Sequence, residues 1–225
     1  MRTKRWLGSG LVALTGATAY AIAIRPRLLT WGATPEEVSR PLPGDGFAPD
    51  RFLDETRAIT IDAPPSAVWP WIVQVGYGRA GWYSYDAVER LMLAGRYVEG
   101  RSATRIHPEL QHLRVGDDIP FAPRARFPVV VLEPERVLAL GSGWQFVIEE
   151  LPGDRSRLLV RTLGPGWARG FLGPYGWLRL LGTAIDRVVG EPLHFAMERK
   201  MMLGIKQRAE AGVPLTPASE VWAAA

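Results

Sequence analysis

Hydrophobic positions recur along this chain with two different periods. Residues 57–62 alternate, with Ile59 and Ile61 on one face, and predict a short strand. Ala63-Pro64-Pro65 then sets up a helix start, since proline is tolerated in a first turn. In residues 66–75 the positions Val68, Trp71, Ile72 and Val75 share one side of a helix. Pro70 removes a backbone hydrogen bond there and should bend or interrupt the helix near Ser66. A second short helix is expected over 84–93, with Ser84 as N-cap, Asp86 in the first turn and Gly95 just past its end.

The pattern turns β-like between 101 and 166. Two aliphatic runs flank Glu133-Pro134-Glu135-Arg136, and two more flank Pro152-Gly153-Asp154. Adjacent hairpins predict an antiparallel sheet. The pattern leaves open whether Arg157 and Arg161, or Leu158 and Val160, face inward, because a one-residue shift exchanges the two sets. The end is helical again. Trp177, Leu181, Ile185 and Val188 recur at helical spacing over 174–189. A separate long helix is expected from Glu191-Pro192, with Leu193, Met197, Met201, Ile205 and Ala209 every fourth residue and Gly212-Val213-Pro214 as its stop.

Before the first strand lies an uncharged run, residues 6–24, bracketed by Arg2, Lys4 and Arg5 on one side and Arg25 and Arg27 on the other. Its length is close to what a helix needs to cross a bilayer. A single-pass membrane anchor is the expectation for 1–27. A cleaved signal peptide also fits, through Ala17-Thr18-Ala19 or Ala19-Tyr20-Ala21, and so does a buried core helix. Residues 28–55 read as a Pro- and Gly-rich linker from which Trp31, Leu42 and Phe47 reach toward the domain. The domain is then 56–212, followed by a tail at 213–225.

Composition narrows the function classes. Of 225 residues 47% are hydrophobic, enough for a full core. The net charge of +4 comes almost wholly from scattered arginines, with lysine only at 4, 200 and 206. Scattered charge predicts no nucleic-acid stripe and suits anionic headgroups better. With no cysteine there is no disulfide and no thiolate chemistry. His107 and His112 are five apart, not the spacing of a helical metal pair, and no metal or other cofactor is expected. His107 or His112 keeps an alternative role as a general base.

The string IxIDAPPSAVWPWIVQVGYGRAGWYSYDAVERL, from Ile59 to Leu91, resembles the opening of a bacterial branch of the START-like superfamily, also called SRPBCC or polyketide cyclase/dehydrase-like. The resemblance covers roughly 56–212. It implies an α+β helix-grip fold: a curved antiparallel sheet wrapped around a long C-terminal helix, with two short helices after the first strand. The hydrophobic N-terminal helix is an addition to that pattern. The resemblance also implies an apolar cavity between sheet and helix, holding a lipid or other hydrophobic small molecule. Expected lining residues are Trp71, Trp82, Tyr83, Tyr85, Trp144, Met197 and Met201, with Arg79, Asp86 and His107 as polar contacts. A cyclase or dehydratase acting in the same cavity is the rival reading. Trp167, Phe171, Tyr175 and Trp177, interspersed with Arg169 and Arg179, have the composition of a lid lying in a headgroup layer.

Overall fold

The computed structural model describes residues 18–48, 50–92 and 95–212. Six antiparallel strands form one curved sheet in the order β1-β6-β5-β4-β3-β2. The strands are β1 (Leu53–Ile61), β2 (Asp118–Ala122), β3 (Ala125–Glu133), β4 (Val137–Leu140), β5 (Trp144–Leu151) and β6 (Arg155–Gly164). The helices are α1 (Arg25–Leu29), α2 (Pro35–Ser39), α3 (Pro65–Val73), α4 (Asp86–Leu91), α5 (Trp167–Leu172), α6 (Leu178–Ile185) and α7 (Glu191–Glu210). The long helix α7 lies in the concave face, and the whole is a helix grip.

Alternation along each strand sorts residues between two layers. Ile61, Phe146, Ile148, Leu158 and Val160 meet Met201, Met202 and Ile205 of α7 in the main core. Ala58, Val137, Ala139, Val147 and Leu159 point the other way, into a smaller cluster with Leu42. The open question of inward faces is thereby answered: Leu158 and Val160 face α7, and the arginines face out. A bulge in β3 between Val129 and Val131 lets Val129 join the core while Val130 and Val131 pack outside.

Residues 28–55 are not a linker. Helix α2 carries a capping box, with Thr34 accepting from Glu37 N–H and Glu37 from Thr34 N–H. It is clamped to the outer face of the sheet. Arg157 holds both carboxylate oxygens of Glu37, at 2.7 and 2.8 Å. Arg161 donates to the carbonyls of Glu37, Val38 and Arg40 and to Asp45. Leu42 is buried and Trp31 packs edge-on against Phe195, while Phe47 stays exposed. The first strand also starts earlier than its alternation suggested, at Leu53.

Three further expectations need correcting. Ser84 is not the N-cap of α4; Tyr85 is, and Ser84 Oγ donates to the Met197 carbonyl at 2.9 Å. Pro70 lies inside α3 without ending it. The last two helices are continuous: α6 runs through a π turn at Asp186–Gly190 into α7. The π turn immediately precedes Pro192, whose missing N–H cannot bond Val188 and whose ring would crowd that carbonyl.

Of the expected anchor 6–24, residues 6–17 lie outside the described residues, as does the tail 213–225. Residues 18–29 are helical and run against the end of the domain, where Arg25 grips buried Glu191 through two bonds of 2.6 and 2.8 Å. Among the described residues no helix is long and apolar enough to cross a membrane.

Candidate ligand-binding site

Between the N-terminal half of α7 and the concave sheet lies a cavity of about 520 Å³. Its wall is overwhelmingly apolar. Trp82, Phe121, Phe127, Trp144, Met197 and Met201 supply most of it, and Trp167 on α5 closes one side. The rings are in mutual contact: Trp82 lies 5.1 Å from Trp144, and Phe121 lies 5.1 Å from Phe127 and, stacked, 5.4 Å from Trp167, centroid to centroid. Such packing fixes the rotamers of the wall at little entropic cost when a ligand enters.

Helix α5 is held over the cavity by a cap supplied in trans. Buried Asp186 of the π turn accepts from the backbone N–H groups of Ala168 and Arg169, at 2.9 and 2.8 Å. The carboxylate thus satisfies two orphan donors at the start of α5. Trp167 stacks on Phe121 with about half of its surface still exposed, whereas Phe171, Tyr175 and Trp177 are largely in solvent.

At one end of the cavity sits a buried ionic cluster. Glu55 and Arg57 on β1 share the concave face with Ile59 and Ile61, and both are completely buried. Arg57 pairs with Glu55 at 3.0 Å and with Glu198 of α7, and its Nε donates to the Leu28 carbonyl at 2.8 Å. Glu198 also accepts from Trp144 Nε1 at 3.0 Å and Thr162 Oγ1 at 3.2 Å. His194, one turn before Glu198, places Nδ1 on Glu55 and Nε2 3.6 Å from Glu198.

The charges settle one another. Burial works against the charged form of His194, but Glu198 and Glu55 outweigh it and raise the imidazole above its ordinary value. Burial likewise pushes the Glu55 carboxyl up, and the neighbouring His194 and Arg57 overcome that and hold it low. With His194 protonated, two carboxylates, one guanidinium and one imidazolium sum to zero. Glu55, His194 and Glu198 also bring ligand atoms within 4.8 Å of one another, the kind of grouping that holds a metal ion. Arg57 contacts both carboxylates and already supplies the counter-charge that a cation would bring.

A second titratable group lines the same cavity. Glu89 of α4 is completely buried and accepts from Tyr97 Oη at 2.7 Å. Burial pushes its carboxyl up to about 7.

The structure places four of the expected residues at this cavity: Trp82, Trp144, Met197 and Met201. The others lie elsewhere. Trp71 and Tyr83 are core residues, with Tyr83 Oη donating to the Trp71 carbonyl at 3.1 Å and accepting from Gln74 at 2.8 Å. Arg79 is spent on the carbonyls of Val73, Val75 and Leu110, so it braces the loop after α3. Tyr85 is exposed. Asp86 accepts from Ser102 N–H and Oγ, tying α4 to the loop at 102. His107 is buried between Glu99 and Glu109, away from the cavity wall. The histidine at the cavity is His194.

Solved structures similar to this chain agree with it only loosely overall. A polyketide-cyclase-like protein of Corynebacterium glutamicum is 16% identical, with 72% of this chain and 94% of that one covered and a TM-score of 0.39. A conserved protein of unknown function from Enterococcus faecalis is 14% identical over 68% of this chain and 83% of that one, with a TM-score of 0.32. No family model and no curated protein matches the chain. The sheet order and the long helix it grips are those of a helix-grip fold.

Residues 55, 57, 89 and 194 were missed by sequence reading for a common reason. Each is a charged or titratable residue whose partner lies on another element. One local signal existed: Leu53, Glu55, Arg57, Ile59 and Ile61 alternate in phase, which puts two charges on the buried face of a strand.

Proposed function

We propose that this protein binds a hydrophobic small molecule or lipid in the cavity between its sheet and α7. The carrying observation is the cavity itself: about 520 Å³, lined by rigid aromatic and adaptable methionine side chains. That volume lies within the range of roughly 300–1,000 Å³ usual for small-molecule sites. Burial of ten methylenes would contribute about 8 kcal/mol, from which the costs of association and ordering subtract.

The same reading includes a membrane. The solvent-facing side of the lid carries Phe171, Tyr175, Trp177, Leu180 and Val188, all more than half exposed. The helix of residues 18–29 packs beside it, with Tyr20 Oη donating to the Arg187 carbonyl at 2.7 Å. An N-terminal segment inserted in a bilayer would therefore hold the lid, and the cavity beneath it, against the lipid surface.

A substitution that fills the cavity tests the binding function. Met197→Trp is expected to abolish thermal stabilisation by hydrophobic ligands while the unliganded protein still folds. Equal ligand response in the variant and the parent would place binding outside the cavity.

His194 and Glu89 both line the cavity; neighbouring carboxylates raise the imidazole, and burial pushes the Glu89 carboxyl up to about 7. That observation favours a proton-transfer enzyme as the second reading, with His194 rather than His107 as its acid or base.

A further inference from the structure

Outside the sheet-and-helix cavity lies a cleft of about 790 Å³ between the helix of residues 18–29 and α6 with its π turn. Leu180, Ala184 and Val188 recur every fourth residue along one side of it, and Tyr20, Ala21 and Arg25 line the other. Leu180 and Val188 are largely exposed, so the cleft offers an apolar strip that the chain itself does not cover.

Its charge is one-sided. Two arginines line the cleft, Arg25 and Arg187, and no acid does. Arg25 is neutralised from behind by buried Glu191. Arg187 is not. Its backbone carbonyl accepts from Tyr20 Oη, but its guanidinium meets only the Phe52 ring, 5.8 Å from the centroid, and donates to no other described residue. A guanidinium carries five donors in a planar fork that matches the oxygens of a phosphate. Arg27 and Arg179, close in sequence to Arg25 and Leu180, are exposed as well and add to the positive potential.

Apolar strip, free guanidinium and missing acid together fit an amphiphile with an anionic phosphate head. The surroundings say where it comes from. Upstream of Thr18 the chain is uncharged back to Trp6, and Trp177, three residues before Leu180, is exposed in the manner of an interfacial anchor. We propose that this cleft binds one anionic phospholipid of the membrane, with its phosphate on the Arg187 guanidinium and an acyl chain along Leu180, Ala184 and Val188. This rests on the membrane reading and assigns it a headgroup and a site separate from the cavity.

Native mass spectrometry of the full chain in detergent, titrated with dioleoylphosphatidylglycerol or dioleoylphosphatidylcholine, tests it. The two lipids share their acyl chains and differ in net charge. The anionic lipid should bind about ten-fold tighter, the worth of one charge-assisted hydrogen bond. Arg187→Gln should erase that preference with an unchanged thermal melt, and Arg187→Lys should restore part of it. Arg155→Gln removes the same charge at the opposite end of β6 from the lid and should leave the preference intact. Met197→Trp fills the cavity and should leave it intact too. Equal binding of the two lipids, a preference that survives Arg187→Gln, or one lost in Arg155→Gln or Met197→Trp overturns the site. Flotation of the full chain with vesicles would still uphold the membrane reading in each of those cases. Failure of the full chain to float overturns both.

Discussion

Glu89 shows how far a residue's surroundings can move its chemistry. On sequence it is one acid among several on a short helix. In the fold it is enclosed by the cavity wall and Tyr97, and burial lifts its carboxyl from an ordinary value of 4.5 to about 7. The folded state therefore holds a proton that the unfolded chain releases. Stability from this group is complete below about pH 4.5 and is lost as pH rises through 7. Glu89→Gln should flatten that part of the stability profile, and thermal melts of the two proteins should converge at low pH and diverge above pH 7 in favour of the variant. Parallel profiles would show that Glu89 ionises freely. His194 was overlooked for the same reason: its chemistry comes from Glu55, which is 139 residues distant in sequence.

At the scale of elements, the buried cluster ties β1 to α7. Glu55 and Arg57 are adjacent inward positions on the strand, and His194 and Glu198 are one turn apart on the helix. The four lock the register of strand against helix, because any slip leaves a charge unpaired in an apolar surround. Arg57→Met should cost about 3–5 kcal/mol, since only His194 would be left to compensate both Glu55 and Glu198. Urea denaturation with an unchanged m-value would report it. A loss below about 1 kcal/mol would mean that water reaches the cluster.

Much at this scale was legible. The strand-turn runs around Pro134 and Pro152 gave the right hairpins, and the four-residue repeat from Leu193 to Ala209 gave the right helix face. The errors fall where tertiary contacts override local pattern. Residues 28–55 lack periodicity because side chains of the sheet, notably Arg157 and Arg161, hold them in place. Gly204 of α7 is a mid-helix glycine with a tertiary reason. It is a point of close approach, where a Cβ would come within 2.6 Å of the Tyr83 carbonyl oxygen.

At the scale of the molecule, the fold places three things at one end: the cavity, the lid of α5 and α6, and the helix of residues 18–29. The proposed delivery or capture of a hydrophobe at a lipid surface would use all three. A chain beginning at Thr18 should still float with anionic vesicles through the lid, and Phe171→Ser with Trp177→Ser should release it. Equal flotation of both forms would remove the lid from the membrane contact.

The central claim is that the cavity holds a hydrophobic ligand. Native mass spectrometry of the purified full chain tests it most directly. The account predicts an adduct of small-molecule or lipid mass that is released by organic extraction and is missing from Met197→Trp. A bare mass for the parent protein, with no thermal shift on adding alkanols, ketones or lipids, would contradict it.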